Sequence, residues 1–180
     1  MISMNRMSDA LSECGALQFG NFTLASGAKS SYYIDIKKAS TNPAVLKLIA
    51  ELMAEKISGM AEKPDRIAGV VLGSIPLATA VSLETGIPFI MVRKEMKDHG
   101  TGKLIEGDLE ENDSVLVVED VITTAGSAIS AIKLIRDAGG KVTDLLSVID
   151  RQSGGGENLA SVNVRIHPLV TADELLEGRE

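Results

Sequence analysis

The chain has 180 residues, 44% hydrophobic and 24% charged, a balance that suits a globular protein with its own core and excludes a disordered or fibrous one. A net charge of −7 argues against a broad basic face for duplex nucleic acid, and 3% aromatics with no Trp argues against a stacking surface for single strands. The single Cys14 leaves no internal disulfide and no zinc set.

No apolar run approaches the ~20 residues of a membrane span, and MISMNRMSDAL lacks the apolar core of a signal peptide. These features point to a cytoplasmic protein with no membrane and no nucleic-acid partner. No repeat, linker or low-complexity block divides the chain, so residues 1–180 read as a single domain.

In chain order, a short N-terminal helix ends near Cys14-Gly15. ALQFGNFTLASG and SSYYIDIKK then read as two strands around a glycine turn. Asn42-Pro43 opens a helix, with Asn as cap and Pro at the first helical position. Apolar residues at Val45, Leu48, Ile49, Leu52, Met53 and Ile57 carry it to a stop at Gly59.

RIAGVVL is a continuous apolar run, followed by the helix PLATAVSLETG and a second strand, PFIMVR. After a polar stretch, SVLVVED is a third such strand and AISAIKLIRDAGG an amphipathic helix. KVTDLLSVID closes the series. Apolar strands alternating with helices predict an α/β fold, a mostly parallel central sheet flanked by helices on both faces. Ligands of such sheets bind beyond the carboxyl ends of the strands. Four loops lie there, starting at Gly73, Arg93, Glu119 and Arg151, and they are expected to converge.

The loop Thr123-Thr124-Ala125-Gly126-Ser127 joins the third strand to its helix. Its backbone can form a concave nest of N–H groups at a helix start, with hydroxyls as further donors, which suits a phosphate. Ser127 can alternatively be a simple helix cap. The two acids before the loop, Glu119 and Asp120, call for hydroxyl donors or a cation. A ribose 5-phosphate satisfies both halves: its phosphate enters the nest and its 2- and 3-hydroxyls donate to the carboxylates. No Walker A loop and no G-x-G-x-x-G fingerprint occurs.

VVEDVITTAGSA resembles the phosphoribosyl-diphosphate (PRPP) signature of type I phosphoribosyltransferases. VRKEMKDHG resembles the catalytic loop of the orotate phosphoribosyltransferases, R-K-x-x-K-D-H-G, matched without a gap. FTLASGAKSSYYID is similar to the segment bordering the orotate pocket, and VVLGSIPLA to the loop that holds pyrophosphate. With Asp150-Arg151-Gln152, where family members place an arginine against the orotate carboxylate, these segments run from residue 22 to residue 152.

The resemblance implies the type I phosphoribosyltransferase fold with a small N-terminal hood and a flexible catalytic loop. It also implies a homodimer in which that loop reaches the neighbouring site. The implied substrates are PRPP and orotate, with Mg²⁺ as cofactor, held mainly through PRPP and supported by Glu119 and Asp120. The implied catalytic residues are Lys97, His99, Arg93, Lys94 and Asp98.

Arg93, Lys94, Lys97 and His99 are also implied to bind PRPP, as are Gly73, Ser74 and the run Glu119, Asp120, Val121, Ile122, Thr123, Thr124, Ala125, Gly126 and Ser127. Thr123, Arg151 and Tyr33 are implied to hold orotate. Many bacterial relatives carry Lys where this chain has Ala25, so that role is either dispensable or filled elsewhere, with Lys29 as a candidate. Two alternatives remain: transfer to a purine or uracil, and a regulatory protein that keeps the fold to sense the nucleotide and bind RNA or DNA.

Overall fold

The computed structural model describes residues 2–23, 29–93 and 104–177. The chain opens with helix α1 (Ile2–Glu13), which precedes an antiparallel hairpin of β1 (Leu17–Thr23) and β2 (Lys29–Ile34). This hairpin is a sheet of its own. The sequence reading carried the second strand on through IDIKK. The structure ends it at Ile34 and turns the next residues into the short helix α2 (Ile36–Ser40), which buries Ile36 and Ala39.

Helix α3 (Pro43–Ser58) starts where its local chemistry directs. The Asn42 side chain accepts from the N–H groups of Ala44 and Val45, and Pro43 occupies the first turn. Its apolar stripe buries Val45, Ile49, Leu52, Met53 and Ile57, and Gly59 closes it. There follow β3 (Arg66–Val70), α4 (Ile75–Thr85), β4 (Phe89–Val92), β5 (Ile105–Glu106), β6 (Val115–Ile122), α5 (Gly126–Asp137) and β7 (Asp144–Asp150).

The chain does not end its sheet at β7, as the sequence reading had it. Helix α6 (Gly155–Ser161) leads into a further strand, β8 (Arg165–Thr171), and a last helix, α7 (Ala172–Leu176). Pro168 and the polar residues Arg165 and His167 hid this strand in the sequence. The placement is physically sound, because β8 lies at the sheet edge, where a missing N–H is tolerated.

The main sheet has six strands in the order β5-β4-β3-β6-β7-β8. All neighbours are parallel except β4 and β5. One face packs α1, α3 and α4 against Leu116, Val118, Leu146 and Val148. The other packs α5 and α6 against Ala68, Ile90, Val117 and Leu145. Both faces are therefore dry, which accounts for the continuous Val/Ile/Leu runs of the central strands. No described helix is long and apolar enough to cross a membrane.

Candidate functional site

Parallel strands β4, β3, β6 and β7 are consecutive in the sheet, so their carboxyl ends form one rim. The four loops named from sequence leave that rim together. Direct bonds link them: the N–H of Val71 donates to the carbonyl of Val92 at 2.8 Å, and that of Arg151 to the carbonyl of Ile122 at 2.8 Å.

The acid pair lies within the end of β6. Glu119 is 8% exposed, and Asp120 is half-buried. The loop after β3 meets both acids. Ser74 Oγ donates to Glu119 Oε2, while a Cβ placed on Gly73 would stand 2.8 Å from Asp120 Oδ2. Glycine at position 73 thus reflects close approach, more than a need for a sharp turn. The Val71–Leu72 peptide of this loop is cis. Asp120 Oδ1 accepts from the N–H of Val121 at 2.7 Å.

Beyond β6, Ala125 adopts a left-handed conformation (φ 63°) and stands at the cap position of α5 with no side-chain cap. Ser127 is therefore not the cap; it sits one turn position inside the helix. The first-turn N–H groups of α5 have no helical carbonyl to bond, and the helix dipole adds positive charge there. Thr123, Thr124, Gly126 and Ser127 are exposed, and a Cβ on Gly126 would meet nothing within 4 Å. A left-handed alanine costs about 1–2 kcal/mol. Ile122 is 2% exposed within the apolar cluster, so its contribution to the rim is its carbonyl and not its side chain.

Arg93 closes the cleft on the other side. A space of about 290 Å³ is lined by Val70, Arg93, Gly126, Ser127 and Ser130. Arg93 pairs with Glu106 at 3.5 Å, which fixes a cation across from the amide cup. Lys94, Lys97, Asp98 and His99, together with Ala25, lie outside the described residues. Lys29 Nζ donates to Thr23 Oγ1 at 2.9 Å, across the loop end of the hairpin.

At the far side of the rim, the guanidinium of Arg151 lies over the Tyr32 ring. The sequence reading named Tyr33 beside the base and did not name Tyr32. Consecutive strand residues face opposite ways, and it is Tyr32 that faces Arg151. Tyr33 is 43% exposed and pairs with Phe22, ring centres 5.6 Å apart.

Sequence reasoning also missed two supports from α6. A Cβ on Gly155 would lie 2.7 Å from the Thr123 carbonyl oxygen, and Asn158 Nδ2 donates to the Thr124 carbonyl at 3.0 Å. The Gly-rich segment SGGGEN was the available signal.

A larger cavity, about 420 Å³, lies at the opposite end of the sheet, among Lys56, Glu62, Ser114, Thr143, Asp144, Arg165 and His167. It is remote from the rim, and its central carboxylate is already engaged. Asp144 accepts from Thr143 and Arg165 on one oxygen and stands 2.7 Å from His167 Nε2 on the other. Burial alone would raise its carboxyl, but the hydrogen bonds from His167, Arg165 and Thr143 and the charge of Arg165 outweigh it and hold the group below the usual aspartate range.

Among the described residues no cluster of three or more His, Cys, Asp or Glu could hold a metal. Glu119 and Asp120 offer carboxylate oxygens without a third protein ligand. That is a poor cage but a fit for a hard ion that keeps waters and takes oxygens from a bound phosphate.

A family model described as phosphoribosyl transferase domain matches residues 35–168. The orotate phosphoribosyltransferase of Methanocaldococcus jannaschii is 50% identical over 175 residues, 97% of this chain and 98% of that protein. The crystal structure of orotate phosphoribosyltransferase from Aeropyrum pernix superposes with a TM-score of 0.83 at 33% identity, covering 95% of this chain and 96% of that one. That of the Mycobacterium tuberculosis enzyme in complex with 5-phospho-alpha-D-ribosyl 1-diphosphate gives 0.79 at 29% identity, covering 96% and 98%. With the rim of parallel strands, the acid pair and the amide cup, these likenesses place the chain in the phosphoribosyltransferase family, among the orotate phosphoribosyltransferases.

Proposed function

We propose that the chain transfers the 5-phosphoribosyl group of PRPP to orotate, giving orotidine 5′-monophosphate and pyrophosphate, a step of pyrimidine nucleotide synthesis. The observation that carries this reading is the adjacency of an acid pair and an uncapped helix start at one sheet rim. The 5-phosphate accepts from the first-turn amides of α5 and from Thr and Ser hydroxyls. The ribose 2- and 3-hydroxyls donate to Glu119 and Asp120. The loop at Gly73 lies where the pyrophosphate departs, and Arg93 faces it from β4. Thr123 and Arg151 hold orotate, with the guanidinium matched to its planar carboxylate. The aromatic neighbour of Arg151 is Tyr32, and Tyr33, on the same strand, is the second tyrosine placed beside the base.

In the transfer, the bond between the anomeric carbon and pyrophosphate breaks as the orotate nitrogen attacks from the opposite face and releases its proton to solvent. The sugar carries positive charge at its crest, by analogy with glycosyl transfer to water. Glu119 and Asp120 stabilise that charge by position alone. Lys94, Lys97 and His99 neutralise the leaving pyrophosphate, and Lys97 or His99 supplies a proton to it. Asp98 orients these neighbours. Glu119 and Asp120 are the residues that would support Mg²⁺ alongside PRPP; the ion's chemistry there is withdrawal of charge from the leaving group.

The catalytic loop within Met91 to Gly107 closes over bound substrate and keeps water from PRPP. It serves a neighbouring subunit in a homodimer. The span 1–180 acts as one domain in the cytoplasm. Spectrophotometric loss of orotate on adding PRPP, with and without Mg²⁺, tests the reading. Turnover of adenine, guanine or uracil in place of orotate would refute it.

A further inference from the structure

Ser74 stands at the cap position of α4, where a serine hydroxyl ordinarily accepts from an N–H of the first turn. It makes no such bond. Its Oγ donates instead to Glu119 Oε2, across 45 positions of sequence. Pro76, in the first turn of α4, offers no N–H of its own for a cap. The Ser74 N–H is also engaged, donating to the Val70 carbonyl at 3.2 Å.

Ser74 is 1% exposed and Glu119 8%. The bond is therefore made away from water, where a carboxylate deprived of a donor is most costly. Next to it, a Cβ on Gly73 would stand 2.8 Å from Asp120 Oδ2. Two adjacent loop residues thus register on two adjacent acids.

We propose that Ser74 is a positioning residue, which holds the Glu119 carboxylate in the orientation it presents to the ribose diol, and that its hydroxyl makes no contact with the phosphates. This rests on the PRPP reading above and alters one part of it: Ser74 serves PRPP through Glu119.

Calorimetric titration of PRPP with MgCl₂ into the unmodified chain, Ser74→Ala, Glu119→Gln and the double variant tests it. Ser74→Ala is expected to weaken PRPP about 10-fold, yet to add less than about 2-fold once Glu119 is Gln, the signature of coupled neighbours. Ser74→Thr, which keeps the hydroxyl, is expected to restore binding. Should Ser74→Ala fail to fold by circular dichroism, Ser74→Cys, of similar volume and with a weak donor, takes its place in the cycle.

Equal losses in both backgrounds would mean that the hydroxyl touches the phosphates itself and would overturn the proposal. So would unchanged affinity in Ser74→Ala. Failure of the unmodified chain to bind PRPP would overturn the proposed function and this inference together. Binding with an additive cycle would overturn this inference alone.

Discussion

The guanidinium carbon of Arg151 sits 5.6 Å from the centre of the Tyr32 ring, joining the end of β7 to the hairpin that overhangs it. Cation and ring together make a flat, partly apolar wall with a fork of donors at its edge, suited to a planar carboxylate. Arg151→Ala is expected to raise KM for orotate about 10- to 100-fold and to leave KM for PRPP within about 3-fold. Arg151→Lys should recover little, since an ammonium lacks the fork. Steady-state kinetics with each substrate varied in turn checks this, and equal effects on both would remove Arg151 from the orotate side.

The second prediction concerns the support beneath the Thr loop. A Cβ on Gly155 would stand 2.4 Å from Ile122 Cγ2 and 2.7 Å from the Thr123 carbonyl oxygen. One contact is with backbone and cannot be relieved by a rotamer change. Gly155→Ala should destabilise the fold by about 1–3 kcal/mol, the usual cost of overpacking, and raise KM for PRPP. Thermal unfolding followed by circular dichroism measures the first effect. An unchanged Tm would show that α6 is free to move away.

Lys97 tests the catalytic loop. Lys97→Ala should lower kcat by about 100-fold or more, equivalent to about 2.7 kcal/mol of barrier, with the Tm unchanged. Normal turnover in this variant would take the loop out of the mechanism.

Asp144 offers a pH test away from the site. Its carboxyl is held below the ordinary aspartate range once the hydrogen bonds from His167, Arg165 and Thr143 and the charge of Arg165 overcome burial. A lowered folded-state carboxyl contributes stability that is fully present above the unfolded-state range, about pH 4, and is lost as pH falls through the folded value. Asp144→Asn should therefore cost about 1 kcal/mol at pH 7, on the scale of partly exposed pairs. It should also flatten the fall of stability below about pH 4. Lys56 and Glu62 line the same cavity and remain unchanged in this comparison. Chemical denaturation at a series of pH values gives both quantities, and parallel curves for the two proteins would refute the assignment.

Much of this protein was legible one segment at a time. The apolar runs at Arg66, Phe89, Val115 and Asp144 became the four central strands, because burial on both faces of a parallel sheet leaves no room for alternation. Asn42 and Pro43 marked a helix start through bonds that reach only two and three residues ahead. The strand at Arg165 was not legible, because an edge strand tolerates Pro and polar side chains and so loses the apolar signature. IDIKK misled for a related reason: five residues carry too little periodicity to separate a strand from a helical turn.

The acid pair and the Thr loop of the proposed site could be named in advance, since both are local features of one segment. Their partners could not. Glu119 meets Ser74, Asp120 meets Gly73, and Arg151 meets Tyr32. Each meeting depends on which strands are neighbours and on which way a side chain leaves its strand. Sequence by itself determined the elements, because backbone hydrogen bonding and side-chain periodicity act within a few residues. Tertiary structure alone decided the contacts at the rim, because the strand order brought together positions tens of residues apart, a choice made by the packing of the whole sheet.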